Sequence, residues 1–118
     1  MRKILITLLL ITSSMLYAVD CSEKQTTYDI MDCQKVEIKK ADKELNKVYG
    51  ILLRQSDSIG KKLLIKTQRA WIIFRDAEAK YVSDRYRGGT ISGIMYGSVI
   101  LDMTKVRTKE LKEYSETL

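Results

Sequence analysis

The sequence predicts an all-α protein, a small bundle of three long antiparallel helices with a short N-terminal segment tied by one disulfide. Three observations carry this. No proline occurs in the 118 residues, so nothing forbids long uninterrupted helices. Apolar residues recur at alternating steps of three and four over three long stretches, the spacing of one helix face. Two short clusters, Ser56-Asp57-Ser58-Ile59-Gly60 and Arg87-Gly88-Gly89-Thr90, interrupt that periodicity with turn and capping residues. A chain of this length is expected to form a single domain with a modest core.

Residues 1–18 read as a secretory signal peptide and 19–118 as the domain. Met1-Arg2-Lys3 is a positive start, Ile4–Ile11 a short apolar run, and Ala18 a small residue ahead of polar chain. The run is short for a bilayer crossing, so no transmembrane span is expected once the signal is cleaved after Ala18. Asp20 fits poorly as the residue preceding a lipidated Cys21. The expected destination is the periplasm or the exterior. Cleavage removes Arg2 and Lys3, leaving nineteen basic against fifteen acidic residues, and the net charge falls from +6 to +4. In an oxidising compartment the two surviving cysteines, Cys21 and Cys33, most simply form one disulfide.

The first helix is expected over roughly 28–55, behind an N-cap from Thr26-Thr27. Met31, Gln34, Ile38, Ala41, Leu45, Val48 and Leu52 form its inward stripe. The second helix, about 58–86, carries Thr67–Ala79 with the chain's only Trp and only Phe, Trp71 and Phe74. Three residues apart, they share a face, which extends to Leu63, Thr67, Ala70, Ala77 and Tyr81. That seam is expected to be buried by the two neighbouring helices, with both aromatics at the centre of the core. Gln68, Arg75 and Glu78 lie at its edges. The third helix is expected from near Ser92 to about Tyr114, with Met95, Val99, Met103, Val106 and Leu111 inward. Gly89, Gly93 and Gly97, four apart, would make a smooth strip for close backbone approach.

The residue types exclude much chemistry. With no histidine there is no His base, no Ser-His or Cys-His pair and no usual zinc site. A disulfide leaves no thiol nucleophile. Asp76 and Glu78 are two apart on a helix and point in different directions. The glycine-rich stretch lacks the lysine of a phosphate-binding loop. The expectation is a protein that is not an enzyme, without metal or cofactor, and without a nucleic-acid-recognition motif. Polar residues at helical spacing remain: Asp42, Asn46 and Tyr49 on the first helix, Gln68, Arg75 and Glu78 on the second, Thr104 and Arg107 on the third. They read as an interhelical network in which Asp42 or Glu78 pairs with Arg75 or Arg107. Lys61, Lys62, Lys66 and Arg69 form a basic face, joined by Lys39, Lys40, Lys43 and Lys47. It is either a solvated surface or an attractor for anionic lipid or glycan. Tyr81, Arg85, Tyr86, Arg87, Gly88 and Gly89 combine aromatics and arginines with a glycine turn; they either anchor an interface or cover the bundle end.

Several of these strings together resemble a known family. Cys21…Cys33, Ala41-Asp42-x-x-Leu45-Asn46-x-x-Tyr49, Gln68-Arg69-Ala70-Trp71-x-x-Phe74-Arg75-Asp76-Ala77-Glu78, Gly88-Gly89-Thr90 and Thr104-x-x-Arg107-Thr108-x-Glu110-Leu111, behind a signal peptide, resemble the LprI-like (lysozyme inhibitor LprI N-terminal) domain family. The resemblance covers essentially the whole mature chain. It implies a small helical extracytoplasmic protein, and the family's namesake activity is lysozyme inhibition. The family pattern commonly has cysteines at the positions of Ala79 and near Val99. Both are missing here, as loss of one bridge would leave them, while the remaining family pair matches Cys21 and Cys33. The functional expectation is a protein-binding module that inhibits lysozyme or another peptidoglycan-cleaving enzyme, or an immunity-type protein against a secreted effector. Its contact surface is expected at Tyr81 and the turn Tyr86–Thr90. The alternative is an envelope-associated module binding anionic lipid or glycan through Lys61, Lys62, Lys66 and Arg69. A charge of +4 opposes long-range attraction to strongly basic lysozymes, and the linear sequence contains no acidic cluster.

Overall fold

The computed structural model describes residues 20–118, and the expected signal peptide and its cleavage site lie outside them. A short 3-10 turn, Cys21–Glu23, precedes three long helices: α1 (Thr27–Gln55), α2 (Ser58–Asp84) and α3 (Ile91–Thr117). Each boundary has a local cause. Thr26 Oγ1 accepts the Asp29 N–H at 3.1 Å and opens α1; Asp57 Oδ1 accepts the Gly60 N–H at 2.7 Å and opens α2. After Asp84 the chain turns through Gly88, whose φ of +84° is left-handed and favours glycine. Cys21 and Cys33 form the expected disulfide, with their Cα atoms 5.6 Å apart, and it pins the N-terminal turn to α1.

The helices run up, down and up. Gln34 meets Ile94 and Ser98 near one end of the α1–α3 pair, and Gln55 meets Ser115 at the other, so α1 and α3 are parallel. Contacts of Ser83 with Ser92 and of Gln68 with Arg107 set α2 antiparallel to α3. α3 is the helix that both others pack against, and α1 and α2 touch each other little. The middle helix in sequence is therefore not the middle helix in space.

Glycine is what lets α1 approach α3. A Cβ on Gly97 would lie 2.6 Å from Gln34 Oε1, and one on Gly93 would lie 2.8 Å from Met31 Cε. The consequences differ. The buried Gln34 amide is held by donation to the Ile94 carbonyl and to Ser98 Oγ, both at 3.0 Å. Gly97→Ala must break or displace that amide and is expected to cost about 1–2 kcal/mol. At Gly93 the obstacle is the flexible end of a methionine, and alanine gains roughly 1 kcal/mol of helix preference. Gly93→Ala is therefore expected to be neutral or stabilising. Paired urea melts check this; equal losses at the two sites would contradict it. Gly89 lies in the turn before α3, outside the strip.

The apolar core is Leu45, Val48 and Leu52 of α1, Leu64 of α2 and Leu111 of α3, with Tyr49, Leu53 and Trp71 packed at its margin. It gathers towards the α1–α2 junction. The inward stripe of α1 is as expected: Gln34, Ala41, Leu45, Val48 and Leu52 are buried, and Met31 and Ile38 half-buried.

For α2 the structure corrects the expectation. The Phe74 seam faces solvent: Leu63, Phe74 and Tyr81 are 61%, 58% and 69% exposed, and Thr67, Ala70 and Ala77 are exposed with them. The helix instead turns inward Leu64, Gln68 and Ala79, with Trp71, Arg75 and Val82 half-buried. The partner explains why. The buried residues of α3 are Gly97, Ile100, Thr104, Arg107, Thr108 and Leu111. Val106 is exposed, and Met95, Val99 and Met103 are half-buried. A helix whose buried side carries Thr104 and Arg107 needs hydrogen-bonding partners opposite. Gln68 and Arg75 supply them; Phe74 cannot.

Candidate functional site

The polar residues sort into an inner seam and an outer surface. In the seam, Trp71 has the Arg75 guanidinium carbon 5.1 Å from its ring centroid and that of Arg107 at 6.0 Å. Arg75 Nη1 lies 3.6 Å from Asp42 Oδ1, and its Nε donates to Asp76 Oδ1 at 3.0 Å. Nη1 also reaches Thr104 Oγ1 at 3.4 Å, whose own proton goes to the Ile100 carbonyl. Arg107 Nε donates to Gln68 Oε1 at 3.0 Å, and its Nη1 to Glu110 Oε2 at 3.0 Å. These contacts join all three helices and fix their register. Asn46 and Tyr49 line a shallow cleft of about 340 Å³ with Asp42, Gln68, Arg69, Trp71 and Arg75. Glu78 departs from the expected network, since Arg75 takes Asp42 and Arg107 takes Glu110. On a helix Glu78 follows Phe74 by one turn, and it turns towards the same outer side.

The outer surface begins at the α2–α3 turn. Tyr81, Arg85, Tyr86, Arg87, Gly88 and Gly89 are all exposed. Arg87 folds back on Asp84 with two bonds of 2.8 Å, and Tyr86 closes the turn by accepting the Gly89 N–H at 3.0 Å. Tyr81 projects into solvent rather than covering the bundle end. From Tyr81 an apolar strip runs back along α2 through Phe74 to Leu63, with Ile73 beside it, also exposed. Lys61, Lys62, Lys66 and Arg69 are exposed too, and none forms an ion pair among the described residues.

Between α2 and α3 lies a groove of about 310 Å³ lined by Phe74, Glu78, Val82, Val99, Asp102 and Met103. Four of the six are apolar and the other two are carboxylates. Neither Glu78 nor Asp102 has an ion-pair or side-chain hydrogen-bond partner among the described residues. Sequence reasoning missed this pairing. The Phe74–Glu78 spacing was visible, but Asp102 arrives from another helix, 24 residues further along the chain. Among the described residues no acidic or thiol cluster could hold a metal ion, and no helix is long and apolar enough to cross a membrane.

A family model described as Lysozyme inhibitor LprI matches residues 20–111. An uncharacterized protein of Rhizobium meliloti (strain 1021) is 30% identical over 111 residues, covering 83% of this chain and 80% of that protein. The uncharacterized protein YecT of Escherichia coli (strain K12) is 29% identical over 120 residues, covering 80% of this chain and 71% of YecT. No solved structure gives a significant match.

Proposed function

The chain belongs to the lysozyme inhibitor LprI family, and from that premise we propose that it is an extracytoplasmic inhibitor of a lysozyme-type, peptidoglycan-cleaving enzyme, acting by contact rather than by catalysis. The family match across nearly all of the described domain carries this reading. The Cys21–Cys33 disulfide supports it, since such bonds persist in oxidising compartments. The exposed Tyr81, Arg85, Tyr86 and Arg87, around the Gly88-Gly89 turn, are the contact anchors. Tyrosine supplies large contact area at modest entropic cost, and arginine supplies directed hydrogen bonds. A secreted effector of similar activity is a target of the same kind, and the protein then serves as an immunity factor.

The purified oxidised protein is expected to slow lysis of peptidoglycan by at least one muramidase in a dose-dependent way. Tyr81→Ala with Tyr86→Ala should weaken inhibition by roughly 10-fold or more. A large molar excess that protects against no muramidase removes the reading.

A second reading rests on the exposed Lys61, Lys62, Lys66 and Arg69, which form no ion pair among the described residues: attachment to anionic lipid or glycan. Binding to anionic vesicles that collapses with salt, and is lost in Lys62→Glu/Lys66→Glu, would support it.

A further inference from the structure

We propose that the groove between α2 and α3, with the Phe74 strip beside it, is the surface on which a basic muramidase docks, taking a lysine or arginine of the target between Glu78 and Asp102. The inference rests on the inhibitor reading above and names the surface and charge that reading requires. Two observations lead to it.

The first is the exposed apolar strip. Leu63, Ile73, Phe74 and Tyr81 are more than half exposed although they lie on a long, well-formed helix. Single exposed apolar side chains are ordinary, but a run of large ones along one helix side marks an interaction surface. The strip also leads from Phe74 to Tyr81 and the arginine-bearing turn, so the contact anchors and the groove form one continuous face.

The second is a local reversal of charge. The domain is basic, with nineteen lysines and arginines against fifteen acids after residue 18, and a basic enzyme is repelled by it at long range. No lysine or arginine lines the groove, while Glu78 and Asp102 do, and neither has an ion-pair partner among the described residues. At physiological salt, charges are screened over about 8 Å. Lysines further away than that are then muted, whereas a cation entering the groove meets two carboxylates at contact. Phe74, Val82, Val99 and Met103 offer the apolar surface that the methylene stem of a lysine or arginine covers. The carboxylates receive its head. A cation held this way gains charge contact with both carboxylates and apolar contact along its stem, which a lone surface carboxylate would not provide.

The experiment measures inhibition of a strongly basic muramidase by the full oxidised protein and by groove variants. Glu78→Lys/Asp102→Lys is expected to weaken inhibition by about 100-fold, and Glu78→Gln/Asp102→Asn by about 10-fold. Phe74→Ser should lose a similar factor to the neutral pair. Melting curves should stay unchanged, because none of these side chains holds the fold together. If the wild type inhibits and all three variants inhibit equally well, the groove assignment is overturned while the inhibitor reading stands. If the wild type protects against no muramidase, both fall. Equal potency against basic and acidic muramidases overturns the charge argument. Sedimentation that shows a dimer dissociated by Phe74→Asp assigns the face to a second copy of this chain and overturns the proposal.

Discussion

Leu111→Ala is expected to lower stability by about 3–5 kcal/mol, the largest loss from any single truncation in this chain. Leu111 is 0% exposed and is the largest side chain buried so completely. It is the contribution of α3 to a core otherwise made of Leu45, Val48 and Leu52 from α1 and Leu64 from α2. Each helix supplies only one side of that small cluster, so removing the leucine leaves a hollow bounded by three rigid elements. Helices pinned by the polar seam cannot easily close on it, and the cost then includes the cavity as well as the lost transfer energy. Domains of this size are commonly stable by about 5–15 kcal/mol, so the loss is a large part of the whole. Urea denaturation followed by circular dichroism measures it, with the slope against denaturant unchanged. A loss below about 1 kcal/mol would mean that the helices rearrange freely around the gap.

Arg107→Ala is expected to cost about 2–4 kcal/mol, with a different balance of causes. The side chain is buried, lies against Trp71 and donates to Gln68 and Glu110. Truncation empties the space beside the indole and leaves Gln68 Oε1 buried without a donor. Arg107 is not an ideal buried charge, however: its Nη2 is fully enclosed and has no hydrogen-bond partner among the described residues. Arg107→Met keeps most of the volume and removes that desolvated group, so it is expected to lose less than half of what alanine loses. Tryptophan fluorescence adds a direct readout, shifting to longer wavelength as water reaches Trp71 in the alanine variant and much less in the methionine one. Equal losses for the two variants would show that the hydrogen bonds, not the packing, dominate. A cycle with Gln68→Ala then measures the coupling between the two residues.

The legibility of each helix followed from what its inner side is made of. The inward stripe of α1 is nearly all apolar, so hydrophobic spacing alone located Ala41, Leu45, Val48 and Leu52. α2 carries two neighbouring stripes that both look buriable, one through Leu63, Ala70, Phe74 and Tyr81, the other through Leu64, Gln68, Trp71 and Arg75. Periodicity favours the first because it is more apolar. The structure takes the second because α3 presents Thr104 and Arg107 to it, and buried donors must be met by acceptors. The glycines of the turn marked a break between helices, but the sequence left open whether Tyr81 and its neighbours cover the bundle end. Tyr81 also belonged to the seam expected to be buried; the structure leaves them exposed. The groove was not legible, since Glu78 and Asp102 are brought together only when α2 settles on α3.

By itself, then, the amino-acid order determined three long helices, their caps at Thr26 and Asp57, the glycine turn at Gly88 and the single Cys21–Cys33 bridge. The helices, caps and turn depend on neighbours a few residues apart, and the bridge follows from there being only two cysteines to pair. Only the packed structure decided that α3 stands between the other two, that Trp71 sits at the margin of the core rather than its centre, and that Phe74 stays outside. Those choices rest on satisfying the hydrogen bonds of polar groups buried on a different helix, a requirement that a one-dimensional pattern of hydrophobicity does not contain.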